Sequence, residues 1–315
     1  MPSTISPEAQ KWLTSLAQAK RRSGPEPLAE RRARTDAWRA QDSAEALRIY
    51  PAKVEGTTMG GVRTDIITPL ANAPNAPAAN GEADRTRVLI NLHGGGFNSD
   101  SGSLIEGVPI ANLAKIKVVS VYYRLAPENP FPVAVDDVVA VYKELLKTYK
   151  PQRIGIFGTS AGAILAGEVT IRLKQSGLPL PAALGIFSSL ADFSRVGDAR
   201  QIFALDGFAG ELQPTDPNHL PDDQYVGQTD RRDPVLSPLF ADLHGMPPSL
   251  LVTSTRDLLL SDTAIFHRAL LRAGDDSRLV VFEALPHAFW YHFQLPETKE
   301  ALELMAQFFD EKLAR

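Results

Sequence analysis

Cysteine is absent from all 315 residues. That excludes a disulfide framework, a thiolate nucleophile and a Cys-ligated zinc, and it fits a reducing compartment. An excess of positive charge is missing too. Lys and Arg number 33 against 37 Asp and Glu, a net charge of −4, which argues against nucleic-acid binding driven by cations meeting phosphates. No apolar run approaches the roughly 18–20 residues needed to span a bilayer. The opening "MPSTISPEAQKWLTSLAQAKRRSG" also lacks the apolar centre of a secretory signal. The expectation is a cytoplasmic chain with no membrane span and no nucleic-acid partner. With 44% hydrophobic and 22% charged residues, the composition is that of a globular protein with a sizeable core.

Two textures alternate along the chain. Residues 1–48 hold two charged helical segments separated by "SGPEP" at 23–27, with Ser6 and Pro7 marking a helix start. From about 49, short β-branched runs alternate with helical stretches. The runs are 62–68 and 87–92, read as neighbouring strands, then 117–123, 153–157, 183–187, 249–254 and 278–284. Helices fit at 133–148, 161–175, 261–273 and 297–313. Such alternation predicts an α/β protein with a mostly parallel sheet covered on both faces. Residues 194–248, rich in Pro and Asp towards their centre, are longer than a crossover needs. They read as an insertion between 49–193 and 249–315.

The stretch "IFGTSAGAIL" (156–165) sets Ser160 between Gly158 and Gly162, after a strand and at the start of a helix. A nucleophile on such a turn needs small neighbours, and the helix N-terminus favours negative charge beside it. The spacing alone does not separate a nucleophile from a small residue in a tight turn. Support comes from "LHGGGFNSD" (92–100), directly after a strand. Its glycines can aim backbone N–H groups at an oxyanion, and Gly94, Gly95 and Ala161 are the donors expected. His93 reads as structural.

Six histidines compete for the role of base. His287, just past the run 278–284, sits where ligands bind, beyond the carboxyl end of a strand. His292 is its nearest competitor. His267 falls in a helix, His219 in the insertion and His244 at the opposite edge of the sheet. Asp257 follows the run 249–254 and is the orienting acid expected, while Asp262 reads as a helix N-cap. The chain order Ser160, Asp257, His287 is the order of this fold.

Taken together, "HGGGF", "YYRLAPENPFPVAVDD" (122–137), "GTSAG", "RDLLLSD" and "PHAF" resemble the bacterial hormone-sensitive lipase family of carboxylesterases in the α/β-hydrolase fold. The resemblance covers residues from about 49 to the end. It implies an eight-stranded sheet, a helical cap built from residues 1–48 and 194–248, no cofactor, and hydrolysis of short-chain acyl esters. It also implies that Tyr123, Arg124 and Glu128 brace the oxyanion loop and the elbow. Phe97, Leu190, Phe193, Phe203 and Phe208 are candidates for the substrate pocket, and the edge strand near 278–284 is a candidate homodimer contact by analogy. There are departures: Thr159 where many relatives carry Asp, Ala163 for a glycine, Leu258 for a proline, and Asn129 for a histidine. A lactone or amide hydrolase with the same triad, or a small-molecule receptor on this fold, is the alternative.

Overall fold

The computed structural model describes residues 2–18, 26–70, 84–100, 104–200 and 223–313. Eight strands form one sheet: β1 (Ala52–Met59), β2 (Val62–Pro69), β3 (Asp84–Leu92), β4 (Ile116–Val121), β5 (Ile154–Thr159), β6 (Ala183–Phe187), β7 (Ser249–Arg256) and β8 (Ser277–Pro286). Their order is β1-β2-β4-β3-β5-β6-β7-β8. The pairs β1–β2 and β2–β4 are antiparallel, and every other pair is parallel. Strands β5 and β6 are buried at every position, as unbroken apolar runs covered on two faces must be.

One face is covered by α4 (Val133–Leu146), α5 (Ala161–Gln175) and α7 (Leu260–Arg272), whose apolar side chains join one core. The other face carries α1 (Pro7–Gln18), α3 (Gly107–Ala114) and α8 (Pro296–Lys312) around a second core. A long helix α2 (Leu28–Ile49) and a short α6 (Asp223–Val226) are also present. Ser6 caps α1 as its position predicts, its hydroxyl accepting from the Ala9 N–H at 3.1 Å. It also ties α1 to α8 by two hydrogen bonds to the Glu297 carboxylate, at 2.7 and 2.9 Å.

Three expectations are corrected. Residues 62–68 and 87–92 are not neighbours, because β4 lies between them. The chain passes through α3 and returns as β4, parallel to β3 and on the side facing β2. Strand β1 has no counterpart in the sequence reading, since an exposed edge strand with Lys53, Glu55 and Gly56 lacks a clear apolar period. Asp262 is not an N-cap. Helix α7 begins at Leu260, and the start is fixed from upstream by Asp257, whose carboxylate accepts from the Leu259 N–H at 2.8 Å.

Candidate active site

Ser160 occupies the turn between β5 and α5 with φ 57° and ψ −123°, a conformation costly for a residue with a Cβ. Its N–H donates to the Phe187 carbonyl at 2.9 Å, which pins the turn to the next strand. Helix α5 starts at Ala161, so the side chain stands at a helix N-terminus and is partly exposed. Behind it, β3 ends at Leu92 and the chain runs into Gly94, Gly95 and Gly96. A Cβ on Gly94 would lie 3.2 Å from the Thr159 carbonyl oxygen and 3.5 Å from the Ser160 Cβ. The glycine loop therefore lies against the serine. Among the described residues no acceptor takes the N–H groups of Gly94, Gly95 or Ala161. Backbone donors of a loop and a helix N-terminus that have no backbone acceptor among the described residues favour a negative charge nearby.

Asp257 and His287 are brought together by the ends of β7 and β8. The His287 Nδ1 lies 2.8 Å from the Asp257 Oδ1. The carboxylate is fully buried, and its other partners are all donors: Thr253 Oγ1 at 3.1 Å, the Leu259 N–H at 2.8 Å and the Ser188 hydroxyl in a short contact. Leu258, where relatives carry proline, leaves this arrangement intact. His287 itself is a quarter exposed. No hydrogen bond joins Ser160 Oγ to His287 among the described residues, and such bonds commonly tighten only with substrate. The two segments are nonetheless locked to each other. Three residues past His287, the Trp290 indole N–H donates to Thr159 Oγ1 at 2.9 Å.

The other described histidines lie apart from this pair. His93 is buried and stacked on Tyr123, with ring centroids 4.1 Å apart and planes within 5°. Burial lowers its pKa, and Nδ1 donates to the Gly94 carbonyl at 2.8 Å. His292 lies against Trp12 of α1 at 4.1 Å, and burial lowers its pKa to about 4. His267 bonds Ser277 within 2.8 Å, and His244 sits in the loop before β7. His219 lies outside the described residues, as do Phe203 and Phe208.

The expected braces divide. The Tyr123 hydroxyl donates to the His93 carbonyl at 2.7 Å, directly behind the glycine loop. Glu128 is held by Arg32 of α2, with both contacts at 2.7 Å. Arg124 braces neither loop nor elbow. Its guanidinium grips Asp137 of α4, because the half-exposed side chain reaches that carboxylate first. Phe97, Leu190 and Phe193 are all buried, and Phe97 spends one ring face on Tyr225 at a centroid distance of 3.5 Å.

One polar cluster was not visible in the sequence. Glu106, at the start of α3, is fully buried behind the elbow, where burial pushes its carboxyl up to about 7 despite hydrogen bonds from Tyr291 and Thr159. Asp262 is also pushed up to about 7 by burial. No group of three or more His, Asp or Glu side chains able to hold a metal ion occurs among the described residues. Nor is any described helix long and apolar enough to cross a membrane.

A profile of proteins with the α/β-hydrolase fold matches residues 89–291. An acetyl-hydrolase of Streptomyces hygroscopicus is 35% identical over 235 residues, covering 70% of this chain and 75% of that protein. An esterase of Acinetobacter venetianus is 31% identical over 242 residues, covering 72% and 76%. Among solved structures, an esterase of the bacterial hormone-sensitive lipase family superposes with a TM-score of 0.77 at 28% identity, with full coverage of both chains. Esterase E25 superposes with a TM-score of 0.80 at 30% identity, covering 99% of this chain and 96% of its own.

The chain belongs to the α/β-hydrolase family. Within it, sequence and structure together place it among the carboxylesterases of the hormone-sensitive lipase family.

Proposed function

We propose that this enzyme hydrolyses short-chain carboxylic esters through an acyl-enzyme on Ser160. The observation that carries the reading is the contact of Gly94 with Ser160, which sets unpaired backbone donors beside a strained, partly exposed hydroxyl. In this reading Ser160 Oγ attacks the ester carbonyl and gives its proton to His287 Nε2. Asp257 holds the imidazole by Nδ1, fixes its tautomer and stabilises the imidazolium. The N–H groups of Gly94, Gly95 and Ala161 take the charge that develops on the carbonyl oxygen. Collapse expels the alcohol, which recovers the proton from His287. Water then repeats the sequence on the acyl-enzyme and releases the acid.

Residues 1–48 and 194–248 are assigned to the cap, and Phe97, Leu190 and Phe193 to the wall that meets the acyl or alcohol group. The names of the similar acetyl-hydrolase and esterases support small acyl groups as substrates. A homodimer through β8 completes the reading, because that strand is one of the two edges of the sheet and the one with Val281 exposed.

The test is hydrolysis of p-nitrophenyl esters from acetate to palmitate by the wild type and by Ser160→Ala. Turnover should be greatest on the short esters and fall by about a millionfold in the variant if the triad acts as a unit. Turnover that survives in the variant, or none on any ester in the wild type, would overturn the assignment.

A further inference from the structure

The glycine loop carries four residues at positive φ: Gly95 at 104°, Gly96 at 60°, Phe97 at 61° and Asp100 at 67°. The last two have side chains, and such conformations persist only where the surroundings over-determine them. On the inner side the loop is held by Tyr123, and by the Ala126 N–H donating to the Phe97 carbonyl at 2.8 Å. On the outer side it meets α2, a helix that belongs to the expected cap.

Arg32, Arg39 and Ser43 lie seven and four residues apart, on one face of α2, a stripe about 16 Å long. Arg32 donates from Nε to the Asn98 carbonyl at 2.7 Å and from one terminal nitrogen to the Ala126 carbonyl at 2.8 Å. The same fork grips Glu128. One guanidinium therefore joins α2, the glycine loop and the segment that follows β4. Arg39 Nε lies 3.1 Å from the Asp100 carboxylate, which is buried. Its guanidinium also covers the Tyr291 ring at 4.5 Å, and the Tyr291 hydroxyl lies 3.7 Å from where a Gly94 Cβ would be. Beyond the loop, the Ser43 hydroxyl accepts from the Leu104 N–H at 3.1 Å.

We propose that α2 is a fixed brace for the oxyanion loop, with Arg32 and Arg39 as positioning residues for the Gly94 and Gly95 donors. The proposal rests on reading those N–H groups as the oxyanion site. A lid must leave to admit substrate, whereas α2 cannot leave without breaking the Arg32 bonds to the loop. Lysine would not replace Arg32, since a single ammonium cannot serve two carbonyls and a carboxylate in fixed directions.

The experiment compares Arg32→Ala, Arg32→Lys and, as a control on the same helix, Arg34→Ala, whose side chain pairs with Glu26 among the described residues. Loosened donors act on the transition state rather than on substrate binding. The kcat for p-nitrophenyl acetate should fall by about 10- to 100-fold in Arg32→Ala, with KM within about twofold. A boronic acid, which mimics the tetrahedral intermediate, should lose affinity by a similar factor. Arg32→Lys should recover part of the loss, and Arg34→Ala should match the wild type. Hydrogen–deuterium exchange of the peptide spanning 93–100 should speed up in Arg32→Ala and not in Arg34→Ala. That readout needs no ester, so it decides the brace even if the wild type hydrolyses none and the functional assignment fails. Unchanged exchange in 93–100, or faster exchange spread over the whole chain with KM raised and kcat kept, would overturn the proposal. If Arg32→Ala does not fold, Arg32→Lys is read by the same two measurements against the same criteria.

Discussion

The carbonyl oxygen of Leu92 lies 1.8 Å from where a Cβ on Gly162 would have to stand, and 2.4 Å from the corresponding point on Gly158. Both glycines of the Gly-x-Ser-x-Gly stretch are therefore demanded by one atom at the end of β3. That atom begins the loop that carries the proposed oxyanion donors. The motif records how closely the glycine loop and the Ser160 turn approach, more than any freedom of the turn. Gly162→Ala should push the two segments apart, lowering kcat by at least 100-fold and stability by about 1–3 kcal/mol. Gly167→Ala, one turn further along α5, meets nothing nearer than 3.6 Å. It should keep activity and gain about 0.5–1 kcal/mol from helix propensity. Thermal melting and ester hydrolysis of the pair check this. Equal behaviour of the two variants would sink the argument.

Asp257 is buried with four donors converging on it, so its geometry should survive loss of the charge. Asp257→Asn keeps the shape, with its amide oxygen facing the Leu259 N–H and His287 and its NH2 facing the Ser188 and Thr253 hydroxyls, but it loses the charge that would stabilise the imidazolium. Its kcat should fall by about 10,000-fold while folding is kept. Ser188→Ala removes only one donor and should cost far less. Steady-state kinetics with circular dichroism distinguishes these outcomes, and near wild-type turnover in Asp257→Asn would remove the acid from the mechanism.

The Ser160 turn, the glycine loop and the Asp257–His287 contact were legible as positions, because each is a local pattern set by its place after a strand. Arg32 and Glu106 were not. Arg32 finds its partners 66 and 96 residues away, and in sequence it is one charge among many on a polar helix. Glu106 reads as an ordinary acid before a helix, since nothing local reveals that the elbow, α3 and Tyr291 will enclose it. Thr159 and Trp290 meet across 131 residues. The aromatic run 289–293 beside His287 was the available hint that this loop is packed rather than solvated. Arg124 was misassigned for the opposite reason: its motif fits several partners, and Asp137 is the one within reach.

Strand β8 ends the sheet and leaves Val281 42% exposed, with Ile265 and Leu271 of α7 at 43% and 50%. An open edge flanked by apolar side chains invites a second strand, and the proposed partner is a second copy of this chain. Light scattering after size exclusion should give twice the monomer mass at micromolar concentration. Val281→Lys, with a charge at the edge, should give the monomer. A monomer for the wild type across that range would end the proposal.

The pH dependence of stability should carry the signature of Glu106. Its carboxyl is raised from 4.5 in the unfolded chain to about 7 in the fold, first because burial penalises the charge. Between those values the folded state holds a proton that the unfolded state has released. The contribution is therefore fully present below about 4.5 and is lost as pH rises through 7, on the order of 3 kcal/mol in total. His292 works in the opposite sense. Its folded pKa of about 4 lies below the unfolded 6.5, so its contribution is present above 6.5 and is lost as pH falls towards 4. Half-buried Asp262, raised from 3.8 to about 7, adds to the Glu106 effect. The wild-type profile is thus a sum of opposed slopes, and only differences isolate one group. Glu106→Gln cannot ionise and keeps an acceptor for the Tyr291 hydroxyl. Denaturant unfolding at pH 4.5, 6 and 8 should show the wild type losing stability relative to this variant as pH rises. A constant difference across that range would mean that Glu106 is ionised in the fold throughout, with the Arg39 guanidinium outweighing the burial that raises its pKa.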